Sequence, residues 1–293
     1  MASQPGHIAD AGANLIPSGV KPVVVASHRR SGTHLMLDLL RRHFAACRPP
    51  FRFGVNPHRY LYFVLDRLRP SHPHHADVEA CLRVMRTMEM PTLKTHNTPD
   101  FPDIPAENAK LCHEALSDGV VLYCVRDVRA VLASLQAFDA SNNPKARVSL
   151  SNYIRQEVDG KSRPQIWAEH VLSWLDHDPA PNMIRFEDVM AEPKAMVEKL
   201  AGLLGKEPLL VDPVLPPKMR HRRQRWLAMV TGVPASTNII GRKRAAELLD
   251  WRTGYTADDI EFLEEHTGDL MRRLGYLQGE DWSLSAQRHP SGG

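Results

Sequence analysis

Ser27-His28-Arg29-Arg30-Ser31-Gly32-Thr33-His34 places two guanidiniums, three hydroxyls, two imidazoles and a glycine in eight consecutive residues. Side chains of these types can surround an anion without a metal. Gly32 lets the backbone approach closely, Arg29 and Arg30 bring fixed positive charge, and Ser31, Thr33 and His34 offer donors or helix caps. Farther along, Arg126 is followed eight positions later by Ser134, a guanidinium and a hydroxyl able to clamp a second phosphate-like group if the intervening helix start bends around it. Between these stretches lies Lys94-Thr95-His96, a cation two residues before an imidazole, whose ordinary pKa of about 6.5 suits proton transfer. Basic residues also gather at Lys218–Arg225 and at Arg242-Lys243-Arg244, separated places that a fold can bring around one polyanion.

Elements able to position these groups are legible around them. Lys21–Ala26 (KPVVVA) is a short β-branched run of the buried parallel-strand kind, and Thr33–Phe44 repeats Leu35, Met36, Leu39 and Leu40 at helical spacing. The anion-type loop therefore joins a strand to a helix N-terminus, where free backbone amides and the helix dipole favour negative charge. Val120–Val125 (VVLYCV) and Asp127–Phe138 repeat this strand-loop-helix unit, which puts Arg126 at a strand end. Shorter strands are predicted at Pro91–Lys94 and Asn182–Phe186, and helices at Gln165–His177, Pro193–Leu204 and Ala257–Leu274. Strands alternating with helices imply a single α/β domain whose central parallel sheet carries helices on both faces. We assign residues 1–20 and 278–293 to tails and 21–277 to the domain, with Phe51–Pro73 and Ala137–Asp159 as loops over a binding site.

Composition bounds the remaining possibilities. A chain of 293 residues with 43% hydrophobic and 24% charged residues can bury one large core. A net charge of +3 argues against nucleic acid as a partner, and no apolar run approaches the roughly 20 residues of a membrane span. Without a basic start and greasy run at its N-terminus the chain is expected to be cytoplasmic. Cys47, Cys81, Cys112 and Cys124 are scattered and read as reduced, while the Pro-broken His72, His74 and His75 do not space like metal ligands. The loops G-x-x-x-x-G-K-[ST] and G-x-G-x-x-G are both absent. Taken singly, each stretch also has a plainer explanation: a capped strand–helix turn, a surface Arg126–Asp127 pair beside a neutral Ser134, one structural histidine among 15, and solvated basic faces.

Together the stretches match a known pattern in order. Arg30-Ser31-Gly32-Thr33-His34-Leu35 resembles the 5′-phosphosulfate loop of the sulfotransferases that use 3′-phosphoadenosine 5′-phosphosulfate (PAPS), commonly K-S-G-T-T-W, with Arg30 at the lysine position. Arg126 through Ser134 resembles that family's 3′-phosphate motif, R-[DN]-P-R-D-V-x-x-S, and Leu93-Lys94-Thr95-His96 its K-T-H segment. Ile166–Trp174 (IWAEHVLSW), Ile184–Val189 (IRFEDV), Gly241–Arg244 followed by Asp250-Trp251-Arg252, and Leu274-Gly275-Tyr276 resemble later family segments. Leu35 and Phe186 stand where many members have a Trp and a Tyr against adenine, which leaves the adenine contacts open.

The resemblance implies a P-loop-like fold and in-line transfer of a sulfuryl group from PAPS to a hydroxyl or amine of a small-molecule acceptor. It implies His96 as general base, Arg30 and Lys94 as stabilisers of the transferring group, and no metal. Arg29, Arg30, Ser31, Gly32, Thr33 and His34 would hold the 5′ end of the nucleotide, and Arg126, Ser134, Arg242, Lys243 and Arg244 the 3′-phosphate. A P-loop kinase-like phosphotransferase and a non-catalytic anion- or nucleotide-binding module are the alternatives. The acceptor, be it phenol, alcohol, sugar or amine, and a homodimeric state stay open.

Overall fold

Val23–Ala26 forms strand β1, and none of its side chains reaches solvent. Side chains alternate across a strand, so Val24 and Ala26 enter one apolar core while Val23 and Val25 enter another. A strand buried on both faces needs a helical layer above and below it. The computed structural model describes residues 14–49, 61–216 and 251–277.

In chain order, β1 is followed by α1 (Thr33–His43), β2 (Phe63–Val64), α2 (Val78–Met85), β3 (Thr92–Thr95), α3 (Ala106–Asp118), β4 (Val120–Val125) and α4 (Val128–Asn142). Then come α5 (Leu150–Arg155), the hairpin β5 (Glu157–Val158) and β6 (Lys161–Ser162), α6 (Arg163–Leu175), β7 (Asn182–Arg185), α7 (Phe186–Ala191) and α8 (Pro193–Leu204). Helices α9 (Trp251–Gly254) and α10 (Ala257–Arg273) close the described chain. The main sheet has the order β2-β3-β1-β4-β7, with every neighbouring pair parallel. One core takes residues from α2, α3, α4, α6 and α10; the other takes them from α1, α7 and α8. The protein is thus an α/β domain with a central parallel sheet between two helical layers.

Two expected loops carry more structure than their sequences suggest. In Ala137–Asp159, α4 continues to Asn142, α5 follows, and β5 and β6 pair through Asp159-Gly160, both at positive φ (53° and 75°). That backbone is the tight hairpin turn that Asp-Gly favours. The periodicity is too brief to announce it, since α5 is six residues long and Val158 is the lone apolar side chain of the hairpin. In Phe51–Pro73, Phe63-Val64 adds an edge strand beside β3 and leads into a 3-10 turn at Leu65–Leu68. Residues 50–60, the basic run Lys218–Arg225, the trio Arg242, Lys243 and Arg244, and most of both tails lie outside the described residues. Among the described residues no helix is long and apolar enough to cross a membrane, and all four cysteines are buried thiols.

Candidate functional site

Parallel strands direct their carboxyl ends to one edge of the sheet, and the chain fans to opposite sides of β1, with β3 on one flank and β4 on the other. Such a reversal of strand order opens a crevice beyond the strand ends. The loop after β1, the end of β3 and the end of β4 all emerge there, tied at the base by Ser27 N–H donating to Thr95 O at 3.3 Å.

The Ser27–Gly32 loop turns sharply between β1 and α1. Arg30 (φ 70°) and Gly32 (φ 101°) take left-handed backbone, and a Cβ on Gly32 would sit 2.6 Å from the Phe186 ring, so only glycine fits. Helix α1 then starts without a side-chain cap and without an acidic residue in its first turn. Its first-turn amides and positive dipole end therefore face the crevice. Ser27 and Thr33 spend their hydroxyls on each other at 2.5 Å, whereas the Ser31 hydroxyl is buried, 1% exposed as a residue, with no partner. A buried orphan donor costs about 1–3 kcal/mol, so this position is waiting for an acceptor.

The two strand–helix junctions meet at this point. Arg30 Nε donates to Ser134 Oγ at 3.1 Å, and Arg126 Nη1 donates to Arg30 O at 3.4 Å. The Arg126 guanidinium lies 4.4 Å from the Phe186 ring centre, and its buried Nε has no partner. Burial, and then the Arg126 charge, lower the pKa of Arg30; burial likewise lowers that of Arg126, opposed by Glu187 and Asp127. Two cations crowd together beside unmet donors. An anion bound there would relieve both the repulsion and the desolvation.

Other expected contacts are distributed differently. Arg29 is half exposed and turns away, pairing with Asp139 at 3.5 Å and resting on the Phe138 ring at 5.6 Å. His34 packs edge-on to Tyr62 with ring centres 6.1 Å apart, and burial, then the Lys94 charge, hold its pKa down at about 4. Lys94 is buried at the end of β3, its pKa lowered by burial while Asp66 opposes the shift. Asp127 does not pair with Arg126 at the surface: its carboxylate takes the Arg129 fork, at 3.0 Å and 3.1 Å from Nε and 2.7 Å from Nη2. Arg126 is thereby left to face the crevice.

His96 follows β3 directly. Its Nδ1–H donates to Ser27 O at 2.8 Å, since a carbonyl can only accept, so Nε2 is the unprotonated nitrogen and makes no hydrogen bond among the described residues. Burial first, then the Lys94 charge, push its pKa well below the ordinary histidine value. The unperturbed imidazole expected from the sequence is replaced by one firmly neutral at pH 7, with a lone pair available on Nε2.

Residues 21–275 match the family described as sulfotransferase domain. The chain belongs to this family. Among characterised relatives it is similar to sulfotransferase 2A6 of Mus musculus, 27% identical over 172 residues, which cover 56% of this chain and 59% of the relative. It is also similar to the 3-alpha-hydroxysteroid sulfotransferase of Cavia porcellus, 25% identical over 160 residues, covering 51% and 55%. The chain thus matches somewhat over half the length of these relatives. Solved structures with a similar course include mouse sulfotransferase SULT7A1 complexed with PAP, at 16% identity, 88% and 89% coverage and a TM-score of 0.49. The sulfotransferase domain from the curacin biosynthetic pathway is another, at 15% identity, 88% and 98% coverage and a TM-score of 0.49.

Several residues of this sulfotransferase domain that border the crevice gave no usable signal in the sequence. Asp66, in the segment read as loop, accepts from His96 N–H at 3.0 Å and from Thr95 Oγ1 at 2.7 Å. Glu187 accepts from Asp127 N–H at 3.3 Å and from the Tyr276 hydroxyl at 2.8 Å, fastening the Leu274-Gly275-Tyr276 segment to the start of α4. His170 and Glu187 lie in segments that resemble the family, but nothing local told what they bind. Trp251 reaches the same region from α9, its ring 4.1 Å from the Arg129 guanidinium, while the Tyr255 hydroxyl donates to Arg129 O at 2.9 Å.

Proposed function

We propose that this sulfotransferase domain transfers a sulfuryl group from PAPS to a hydroxyl or amine of a small-molecule acceptor, with His96 as base. The observation that carries the reading is the junction of the two loops: Arg30 reaches Ser134 at 3.1 Å, so the 5′ and 3′ motifs share one crevice. The donor set fits a doubly phosphorylated nucleotide. Ser31 Oγ and Arg126 Nε are buried donors without partners, and α1 presents uncapped amides beside them.

PAPS, when bound, supplies the activated sulfuryl group and leaves as adenosine 3′,5′-bisphosphate. The chain's part is to bind, orient and neutralise. Ser31, Gly32, Thr33 and the first amides of α1 hold the 5′-phosphate, and Arg126 with Ser134 holds the 3′-phosphate. Arg30 and Lys94 stabilise charge spreading over the transferring group, where a fixed cation in a water-poor crevice acts most strongly. His96 Nε2 receives the proton of the attacking acceptor, since Nδ1 already carries the hydrogen that bonds Ser27 O. Arg242, Lys243 and Arg244 are assigned to the 3′-phosphate by the family motif alone.

Two measurements test this. Thermal melts with adenosine 3′,5′-bisphosphate, with ATP plus magnesium, and with neither should show stabilisation by the first only. Stabilisation by ATP–magnesium alone would replace the assignment with a phosphotransferase. Sulfur-labelled PAPS offered with p-nitrophenol, an alkyl alcohol, a hexose and an aniline should then label one acceptor class; no transfer to any of them, with tight nucleotide binding, would leave a binding module.

A further inference from the structure

His96 is held by its backbone as well as by its ring. On one side its N–H donates to both oxygens of Asp66, at 3.0 Å and 3.2 Å. On the other side its carbonyl accepts from His170 Nε2 at 3.0 Å, and the Tyr123 hydroxyl donates to His170 Nδ1 at 2.9 Å. The tautomer follows from the partners. A carbonyl only accepts, so His170 carries its proton on Nε2, and the phenol must donate to Nδ1. One turn further along α6, Trp174 Nε1 donates to Asn97 O at 3.1 Å, so one helix face grips two successive carbonyls beginning at His96.

Tyr123 and His170 occupy a place where apolar side chains would pack as well. Tyr123 is 0% exposed, His170 is 8% exposed, and Val171, Trp167 and Trp174 around them belong to the apolar core. Burying a phenol and an imidazole there is unfavourable unless each polar atom is met, and here each is. The hydrogen-bond chain ends on the peptide carrying the base. Burial holds His170 neutral, with its pKa down at about 4, so the Nε2–H donor persists across the physiological range.

We propose that His170, with its tautomer fixed by Tyr123, is a positioning residue for the transfer reaction, locking the His96 peptide so that Nε2 keeps its direction into the crevice. The proposal rests on the reading of His96 as base. Loosening such a support typically costs roughly 10- to 100-fold in activity.

The test is a kinetic series on the full chain, by single-turnover transfer from labelled PAPS to the panel acceptor that reacts fastest. His170→Leu should lower the rate of transfer about 10- to 100-fold, with the Kd of adenosine 3′,5′-bisphosphate unchanged within about twofold. His170→Gln, which keeps an N–H donor near the Nε2 position, should recover most of the loss. Placed in a His96→Ala background, His170→Leu should change the remaining rate by no more than about twofold, because its effect passes through His96. Full activity of His170→Leu, or an equal loss in both backgrounds, overturns the positioning role. Should His170→Leu fail to fold, Tyr123→Phe decides: it removes one hydroxyl, and a rate unchanged from the parent overturns the proposal. Full turnover of His96→Ala alone would instead overturn the base assignment, so the two failures are separable.

Discussion

The crevice has two halves built on opposite principles. Around Arg30, Ser31 and Arg126, donors outnumber acceptors: a hydroxyl and a guanidinium nitrogen are buried without partners, and two cations stand close together. At His96 itself the peptide N–H, the carbonyl and Nδ1 are met by Asp66, His170 and Ser27, and the histidines are held neutral by burial. The first half keeps buried donors and crowded charge unmet, whereas the peptide and Nδ1 of His96 are met beforehand. An anion-binding surface can rely on its ligand to settle its charges, but a base that must point at a reacting proton needs its geometry fixed in advance.

The sharpest way to break this contrast is to exchange effects between the halves. His96→Ala should cost about 100-fold or more in the rate of transfer while the Kd of adenosine 3′,5′-bisphosphate stays within about twofold. The rate's pH profile carries the same signature. A base must be deprotonated to act, and burial and Lys94 press the His96 pKa down, so the acidic limb should fall below the pH of about 6.5 ordinary for histidine. An acidic limb at or above that value would mean that the neutral half is not neutral. Conversely, Arg126→Ala should weaken the nucleotide by about 1.5–3 kcal/mol, or roughly 10- to 150-fold in Kd, with transfer at saturating PAPS far less affected. A calorimetric titration that finds unchanged affinity would remove Arg126 from the anion half.

Stability against pH distinguishes the buried histidines from the arginines of the crevice. His28 is held down at about 3 and His170 at about 4, both chiefly by burial, and their rings meet edge to face at 5.5 Å. Their folded pKa values lie below the unfolded one, so the unfolded chain binds more protons in between. Stability is therefore full above about pH 6.5 and declines on acidification through that value toward the folded pKa values, by roughly 1.4 kcal/mol per pH unit for each histidine. Melts of the ligand-free protein between about pH 7.5 and about pH 5 should show this loss. Arg30 and Arg126 stay charged throughout that window and contribute no slope. A flat profile would show that the histidines already share protons in the fold.

How much of this was legible in advance follows the same division. The strand runs Val23–Ala26 and Val120–Val125 are buried on both faces and stand beside helices with clear apolar spacing, so the two junctions and their charged residues announce themselves. Short elements did not, because Phe63-Val64 and the Glu157–Ser162 hairpin owe their form to neighbours more than to periodicity. Asp66 and His170 escaped for a different reason. Their roles consist of bonds to the backbone of His96, 30 and 74 residues away in the chain, and a bond to a carbonyl or an amide constrains no residue type at its other end. Arg29 shows the converse: its place in the loop puts it beside the expected anion, whereas its side chain pairs with Asp139 and rests on Phe138.

The smallest expected effect discriminates most finely. Ser31→Ala deletes a buried hydroxyl that bonds nothing in the ligand-free fold, so the variant loses no interaction and sheds an unmet desolvation cost. Its melting temperature without ligand should equal or slightly exceed that of the parent. With adenosine 3′,5′-bisphosphate the sign reverses, because the parent gains a hydrogen bond that the variant cannot make, worth about 0.5–1.5 kcal/mol or roughly 2- to 12-fold in Kd. At Asp66, His170 and Tyr123 no such reversal is available, since each deletion there breaks a bond already made. A Ser31→Ala variant that melts lower without ligand and binds as tightly as the parent would show that the hydroxyl serves the loop's own structure, and the contrast between a half awaiting its ligand and a half already complete would fail at its most direct point.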